Sequence, residues 1–179
     1  MPEVRGAVAG PGRGQRIARF AAYDTAKHQP LSTTRPMTRY VNKRMILVIN
    51  RMCWRLAGGL EPRGAGNLLE GRTLGFVEGI HQNEMFGQTL YPTLYHQAAA
   101  YMYYITKGHL FHDGNKRTGL AVALTFLGWN GVHLPTLPEE DSYQFVIDVA
   151  SSHESASELI EKTADWFKSM ADDNLPHTS

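Results

Sequence analysis

Read as apolar against polar positions, the chain changes character near residue 37. Residues 1–36 hold no sustained period: MPEVRGAVAGPGRGQRIARF is rich in Gly, Ala, Arg and Pro, and HQPLSTTRP adds two prolines among polar turn formers. Such a stretch cannot bury enough apolar surface to offset the entropy of ordering it, so a disordered basic tail is expected. Met37 and Met45 could each serve as an initiator, and an over-extended start is one explanation of the tail. Residues 37–179 read as a single helical domain.

Within that domain the period is helical. In YVNKRMILVINRMCWRLA, residues 40–57, Met45, Ile49, Met52 and Leu56 recur at helical spacing, and Gly58-Gly59 supply a stop. NLLEGRTLGFVE, 67–78, predicts a weaker helix with glycine interruptions. IHQNEMFGQT, 80–89, has no helical period and is expected to be a short hairpin or loop. TLYPTLYHQAAAYMYYITKG predicts a helix from Thr89, with Pro92 in its first turn and Gly108 as a left-handed stop. KRTGLAVALTFLGWN is apolar nearly all round, which places a helix at the centre of the domain. Two helices follow Pro138: PEEDSYQFVIDVA, with acids in its first turn, and one from Ser155, where SASE forms a capping box with Glu158. The fold class expected is all-α, with one short β-hairpin around 80–88.

Composition narrows the class. A length of 179 residues and 42% apolar content suit one globular domain with a real core. Cys53 is the single cysteine, which excludes an internal disulfide and a thiolate-built zinc site and favours a reducing, cytoplasmic setting. No apolar run reaches the length of a membrane span, and the N-terminus lacks the apolar core of a secretory signal, so no membrane partner is expected. Charge is uneven. Residues 1–36 carry six Lys/Arg against two acids, whereas from Glu139 onward ten acids face only Lys162 and Lys168. A basic start and an acidic end do not make the single basic face of a nucleic-acid binder, and direct nucleic-acid binding is not expected.

The chemistry concentrates in HLFHDGNKRTGL, residues 109–120, between the two central helices. Gly114, Asn115 and Lys116 open the buried helix, where free N–H groups and the helix dipole favour an anion. Lys116 and Arg117 add charge, Asp113 is the kind of carboxylate that holds Mg²⁺ beside phosphates, and His109 could accept a proton from a hydroxyl. Base, metal carboxylate and phosphate nest together describe phosphoryl or nucleotidyl transfer. Asp-Gly-Asn is also a common turn, and Lys-Arg at a helix start a common solvated face. His109, His112 and Asp113 could instead be zinc ligands, with no fourth in view. The P-loop spacing is not met.

HLFHDGNKRTGL resembles the signature of the Fic/Doc family, H-x-F-x-[DN]-x-N-[KG]-R, through His109, Phe111, Asp113, Asn115 and Arg117. Lys116 in place of a second glycine, and Leu120 in place of a further arginine, resemble the Doc, or death-on-curing, toxin branch. GGLEPRGAGNLLEG, YPTLYHQAAAYMYY and TFLGWNG extend the resemblance to about residues 40–170. It implies a Fic-fold helical bundle around a central helix–loop–helix. It also implies a toxin that uses ATP and Mg²⁺ to phosphorylate a Ser/Thr hydroxyl of a target protein, with elongation factor Tu, a translation factor, as the best-known target of the branch. The rivals are a Fic-type enzyme that transfers AMP and a Fic-fold binding module without turnover.

The resemblance also implies roles. His109 would be the base, Phe111 the anchor of the loop, Asp113 the metal carboxylate, and Gly114, Asn115, Lys116 and Arg117 the phosphate binders. The 80–88 segment resembles the flap that aligns a target peptide by strand addition, with His81 and Glu84 on it. Neither Glu70-Gly71 nor Glu78-Gly79 fits the family's self-inhibiting [ST]-x-x-x-E-[GN] helix. Inhibition by a separate antitoxin that folds on the toxin is therefore implied. The basic residues Arg39, Lys43, Arg44, Arg51 and Arg55 could receive it or could simply face solvent.

Overall fold

The computed structural model describes residues 37–57, 67–85, 87–135 and 139–172. The expected tail over 1–36 and the Gly58-Gly59 stop lie outside these residues. Six helices and one two-stranded hairpin are present among the described residues, which is the all-α bundle with a small β flap that the sequence implies.

Helix α1 spans Lys43–Leu56, and the Asn42 side chain caps it by accepting the Met45 N–H at 3.0 Å. Its inward residues are Ile46, Ile49, Asn50 and Cys53. The buried face is therefore turned from the expected Met45–Ile49–Met52–Leu56 stripe, and only Ile49 of that set is buried. A polar Asn50 at a core position hid the true face from a reading of apolar residues alone. The basic residues Lys43, Arg44, Arg51 and Arg55 point to solvent.

The helix expected over 67–78 shrinks to one turn, α2, Gly75–Glu78. Asn67 and Gly71 both have positive φ, 60° and 73°, which breaks any helix there. Residues 67–69 instead pair with the 110–112 segment, a contact between distant parts of the chain that no local pattern reports. A 3₁₀ turn, Ile80–Gln82, leads into strands β1, Glu84–Met85, and β2, Gln88–Thr89. These pair antiparallel, with Glu84 opposite Thr89.

Helix α3 spans Leu94–Lys107, and Thr93 caps it through the His96 N–H at 3.2 Å. Pro92 therefore precedes the cap and is not in the first turn. Helix α4, Asn115–Trp129, is buried on most sides, as its apolar composition requires. The two helices cross closely at Gly119, where a Cβ would lie 2.4 Å from the Thr106 hydroxyl and 2.9 Å from the Met102 carbonyl oxygen. Helix α1 packs on α4. Helices α5, Glu139–Ser151, and α6, Ala156–Asp172, complete the bundle, α6 against α3. The capping box ahead of α6 is formed: the Glu158 N–H donates to Ser155 Oγ at 3.3 Å, and the Ser155 N–H to Glu158 Oε2 at 3.1 Å.

Candidate active site

The site is the turn that joins the two most tightly packed helices. Its exit from α3 departs from the sequence expectation. Gly108 is not left-handed: its φ is −71°, and its need for glycine is steric, since a Cβ there would fall 2.3 Å from the Tyr104 carbonyl oxygen. The left-handed residue is His109, at φ 45°. A non-glycine residue held in this region stores backbone strain, and such strain gathers at functional sites. The conformation sends the chain back across the helix end and leaves His109 exposed between the buried Thr106 and Leu110.

Phe111 then plunges into the core, 1% exposed, and forms an isolated antiparallel bridge with Leu68. On either side of it the Leu69 N–H donates to the Leu110 carbonyl at 2.9 Å, and the His112 N–H to the Asn67 carbonyl at 3.0 Å. The loop is thus pinned like an edge strand. His112 is exposed, and this backbone bond is its tie to the loop.

Asp113 and Gly114 turn the chain into α4. Gly114 has φ 81°, and a Cβ there would press on Asn50 Nδ2 at 3.3 Å. Its N–H donates to Asp113 Oδ1 at 2.6 Å, and Arg117 reaches the same oxygen at 3.5 Å, one turn on. Asn115 closes the loop from the helix side: its N–H₂ donates to the Phe111 carbonyl at 2.7 Å and its oxygen accepts the Phe111 N–H at 2.9 Å. The Asn115 amide is therefore largely spent on loop geometry, whereas the sequence assigned it to phosphate.

The N–H groups of Asn115, Lys116 and Arg117 have no carbonyl partner inside α4, because the first turn of any helix lacks one. Lys116 is exposed, Arg117 half-buried, and both sit on this turn. Leu120 is 9% exposed and packs into the core, so Lys116 and Arg117 are the cations that α4 offers. Beneath the loop, burial pushes the Cys53 thiol up to about 11, against the opposing influence of Arg117 and the Thr118 hydroxyl.

The turn therefore brings together His109, Phe111, Asp113, Gly114, Asn115, Lys116 and Arg117. His81 and Glu84 lie elsewhere. His81 is on the 3₁₀ turn, stacked on Tyr40 with ring centroids 3.9 Å apart, and Glu84 is exposed on β1. Among the described residues no three His, Cys, Asp or Glu side chains are arranged to hold a metal by themselves, so the His109–His112–Asp113 zinc arrangement is not formed. Sequence reasoning missed Asn50, Asn67 and Thr118, the polar floor of the turn. Asn50 alone left a signal, as a polar residue on the apolar side of an amphipathic helix.

An exposed histidine at a helix exit, a carboxylate on the turn and a cationic helix start define a Fic-type helix–loop–helix. The model of the Fic/DOC family matches residues 40–127. The chain is 35% identical to Toxin Doc of Mycolicibacterium smegmatis over 98 residues, 55% of this chain and 69% of that one. It is 46% identical to Protein kinase doc of Escherichia phage P1 over 46 residues, 26% and 36% of the two chains. The chain belongs to the Fic/DOC family, and these relatives place it with the Doc branch.

Proposed function

We propose that this protein is a Doc-type toxin that transfers the γ-phosphate of ATP to a Ser or Thr hydroxyl of a target protein. Our reading makes the target a translation factor such as elongation factor Tu and the site of action the cytoplasm. A small cognate antitoxin folds onto the toxin and blocks it. The working unit is residues 37–179. The observation that carries the reading is the turn itself, where His109, Asp113 and the first turn of α4 with Lys116 and Arg117 lie within one short loop. The relatives named Toxin Doc and Protein kinase doc support it.

The residues fit ATP with Mg²⁺. Asp113 offers a single carboxylate, and Mg²⁺ takes one or two protein carboxylates and completes its shell with phosphate oxygens and water. Bound there, ATP would supply the γ-phosphoryl group and leave as ADP, and Mg²⁺ held by Asp113 would offset the negative charge of the phosphates. The three first-turn N–H groups of α4, together with Lys116 and Arg117, bind the phosphates. His109, exposed at the mouth of the turn, takes the proton of the incoming hydroxyl. Phe111 and Asn115 hold the loop in the shape that puts these groups side by side. The hairpin of β1 and β2, with Glu84 exposed on it and His81 on the 3₁₀ turn before it, aligns the target segment by strand addition.

The test is transfer from ATP labelled on either the α- or the γ-phosphate, in extract and with purified elongation factor Tu. Label from the γ-position on protein, absent with His109→Ala, is expected. Label from the α-position would replace this reading by nucleotidyl transfer. No label from either, with growth unaffected on induction, would leave a binding module.

A further inference from the structure

The turn rests on a buried amide pair. Asn50, fully buried on α1, donates to the Asp113 carbonyl at 3.1 Å and to Thr118 Oγ1 at 2.9 Å. Asn67, 4% exposed, donates to the Asn50 oxygen at 3.0 Å and to the same Asp113 carbonyl at 3.0 Å. Each amide has two N–H donors, and both are used in both residues. The Asp113 carbonyl is thus gripped by two amides from two different segments of the chain.

The C=O and N–H of one peptide unit are fixed in a plane and point in opposite directions. Pulling the Asp113 carbonyl inward therefore aims the Gly114 N–H outward. That N–H meets Asp113 Oδ1 at 2.6 Å, a bond to a carboxylate and of the stronger kind. The closer of the two contacts on this carboxylate oxygen therefore comes from this peptide, with Arg117 the longer one at 3.5 Å.

We infer that Asn50 and Asn67 are positioning residues of the site, which fix the Asp113–Gly114 peptide and through it the Asp113 carboxylate. The consequence for Mg²⁺ rests on the proposed phosphotransfer, whereas the hold on the peptide does not. Asn67 suits its place twice over, since asparagine tolerates the left-handed φ of 60° better than most residues. Asn67→Gly keeps that backbone freedom and deletes only the amide. Asn50→Asp keeps the shape but turns an acceptor oxygen toward the Asp113 carbonyl.

The experiment reads amide hydrogen exchange of the full chain by NMR, beside the concentration of Mg²⁺ needed for half-maximal transfer of γ-label. Asn67→Gly is expected to speed exchange at Gly114 tenfold or more while amides in the middle of α3 and α6 are unchanged. It should raise the half-maximal Mg²⁺ concentration tenfold or more and leave kcat at saturating Mg²⁺ within threefold. A general loss of packing would instead speed exchange in every helix. Should Asn50→Asp fail to fold, Asn67→Gly decides alone. Unchanged Gly114 exchange in a folded Asn67→Gly variant would overturn the inference. Wild-type protein that transfers no γ-label, with Gly114 exchange still accelerated in the variant, would sink the proposed chemistry and leave the positioning intact.

Discussion

The side chain of Asn115 and the backbone of Phe111 are joined by two hydrogen bonds, 2.7 Å from the Asn115 N–H₂ to the Phe111 carbonyl and 2.9 Å from the Phe111 N–H to the Asn115 oxygen. One residue at the start of α4 thereby mimics a strand partner for the loop that precedes it. Asn115→Ala leaves both Phe111 groups without that partner in a part-buried place, which costs about 1–3 kcal/mol. A catalytic loop released by about an ångström loses on the order of a hundredfold in rate. Thermal melts and γ-label transfer on the same preparation check both figures.

His109 sits at φ 45°, a conformation glycine adopts freely. His109→Gly is expected to abolish transfer and yet raise stability by about 1 kcal/mol, the strain of a left-handed residue. A melt that falls instead would show that the His109 side chain packs for stability.

At Gly119 even a methyl group has no room, with Thr106 Oγ1 at 2.4 Å and the Met102 carbonyl oxygen at 2.9 Å from a Cβ. Gly119→Ala forces α3 and α4 apart. It is expected to cost about 1–3 kcal/mol as overpacking does, despite the better helix propensity of alanine. Denaturant titration measures the loss. Gly75→Ala, where the nearest atom is 3.5 Å away, is the control.

Cys53 gives a prediction at alkaline pH. Its folded value, about 11, lies above the usual 9.0 because the thiol is buried. Between these values the unfolded chain has lost the proton and the folded one has kept it. Stability is therefore full below the lower value and falls as pH rises through the window, by on the order of 3 kcal/mol in all. Tyr101, pushed up to about 12 by burial, extends the fall upward. Cys53→Ala should flatten the first part of a plot of unfolding free energy against pH. An unchanged slope would mean that the thiol does not titrate with unfolding.

The long helices were legible because their period is local. The all-round apolar run of α4, the AAAYMYYI face of α3 and the Ser155–Glu158 box each report on residues a few positions apart. The residues that the turn brings together were legible for the same reason: His109 to Arg117 form one continuous stretch. What escaped was non-local. NLLEGRTLGFVE carries apolar residues at spacings that suit a helix, but Leu68 finds its partner in Phe111, and that pairing outweighs a weak local preference. The Asn50–Asn67 pair joins α1 to a loop through bonds that cross 17 and 63 residues of chain, and no window of sequence contains them. The left-handed residue was expected at Gly108 because glycine is the usual occupant. The close Tyr104 carbonyl explains that glycine, and the strain passes to His109.

The bridge between Leu68 and Phe111 also sets an order of events. The grip of Asn67 on Asp113 spans 46 residues of chain, and contacts so distant form late because loop closure must come first. A chain emerging from the ribosome presents Asn50 and Asn67 before His109 and Asp113 have been added, so their grip waits for the later segment. The turn takes its shape only once α4 has arrived to back it. The turn of His109 to Arg117 is thus among the last parts of the fold to be locked.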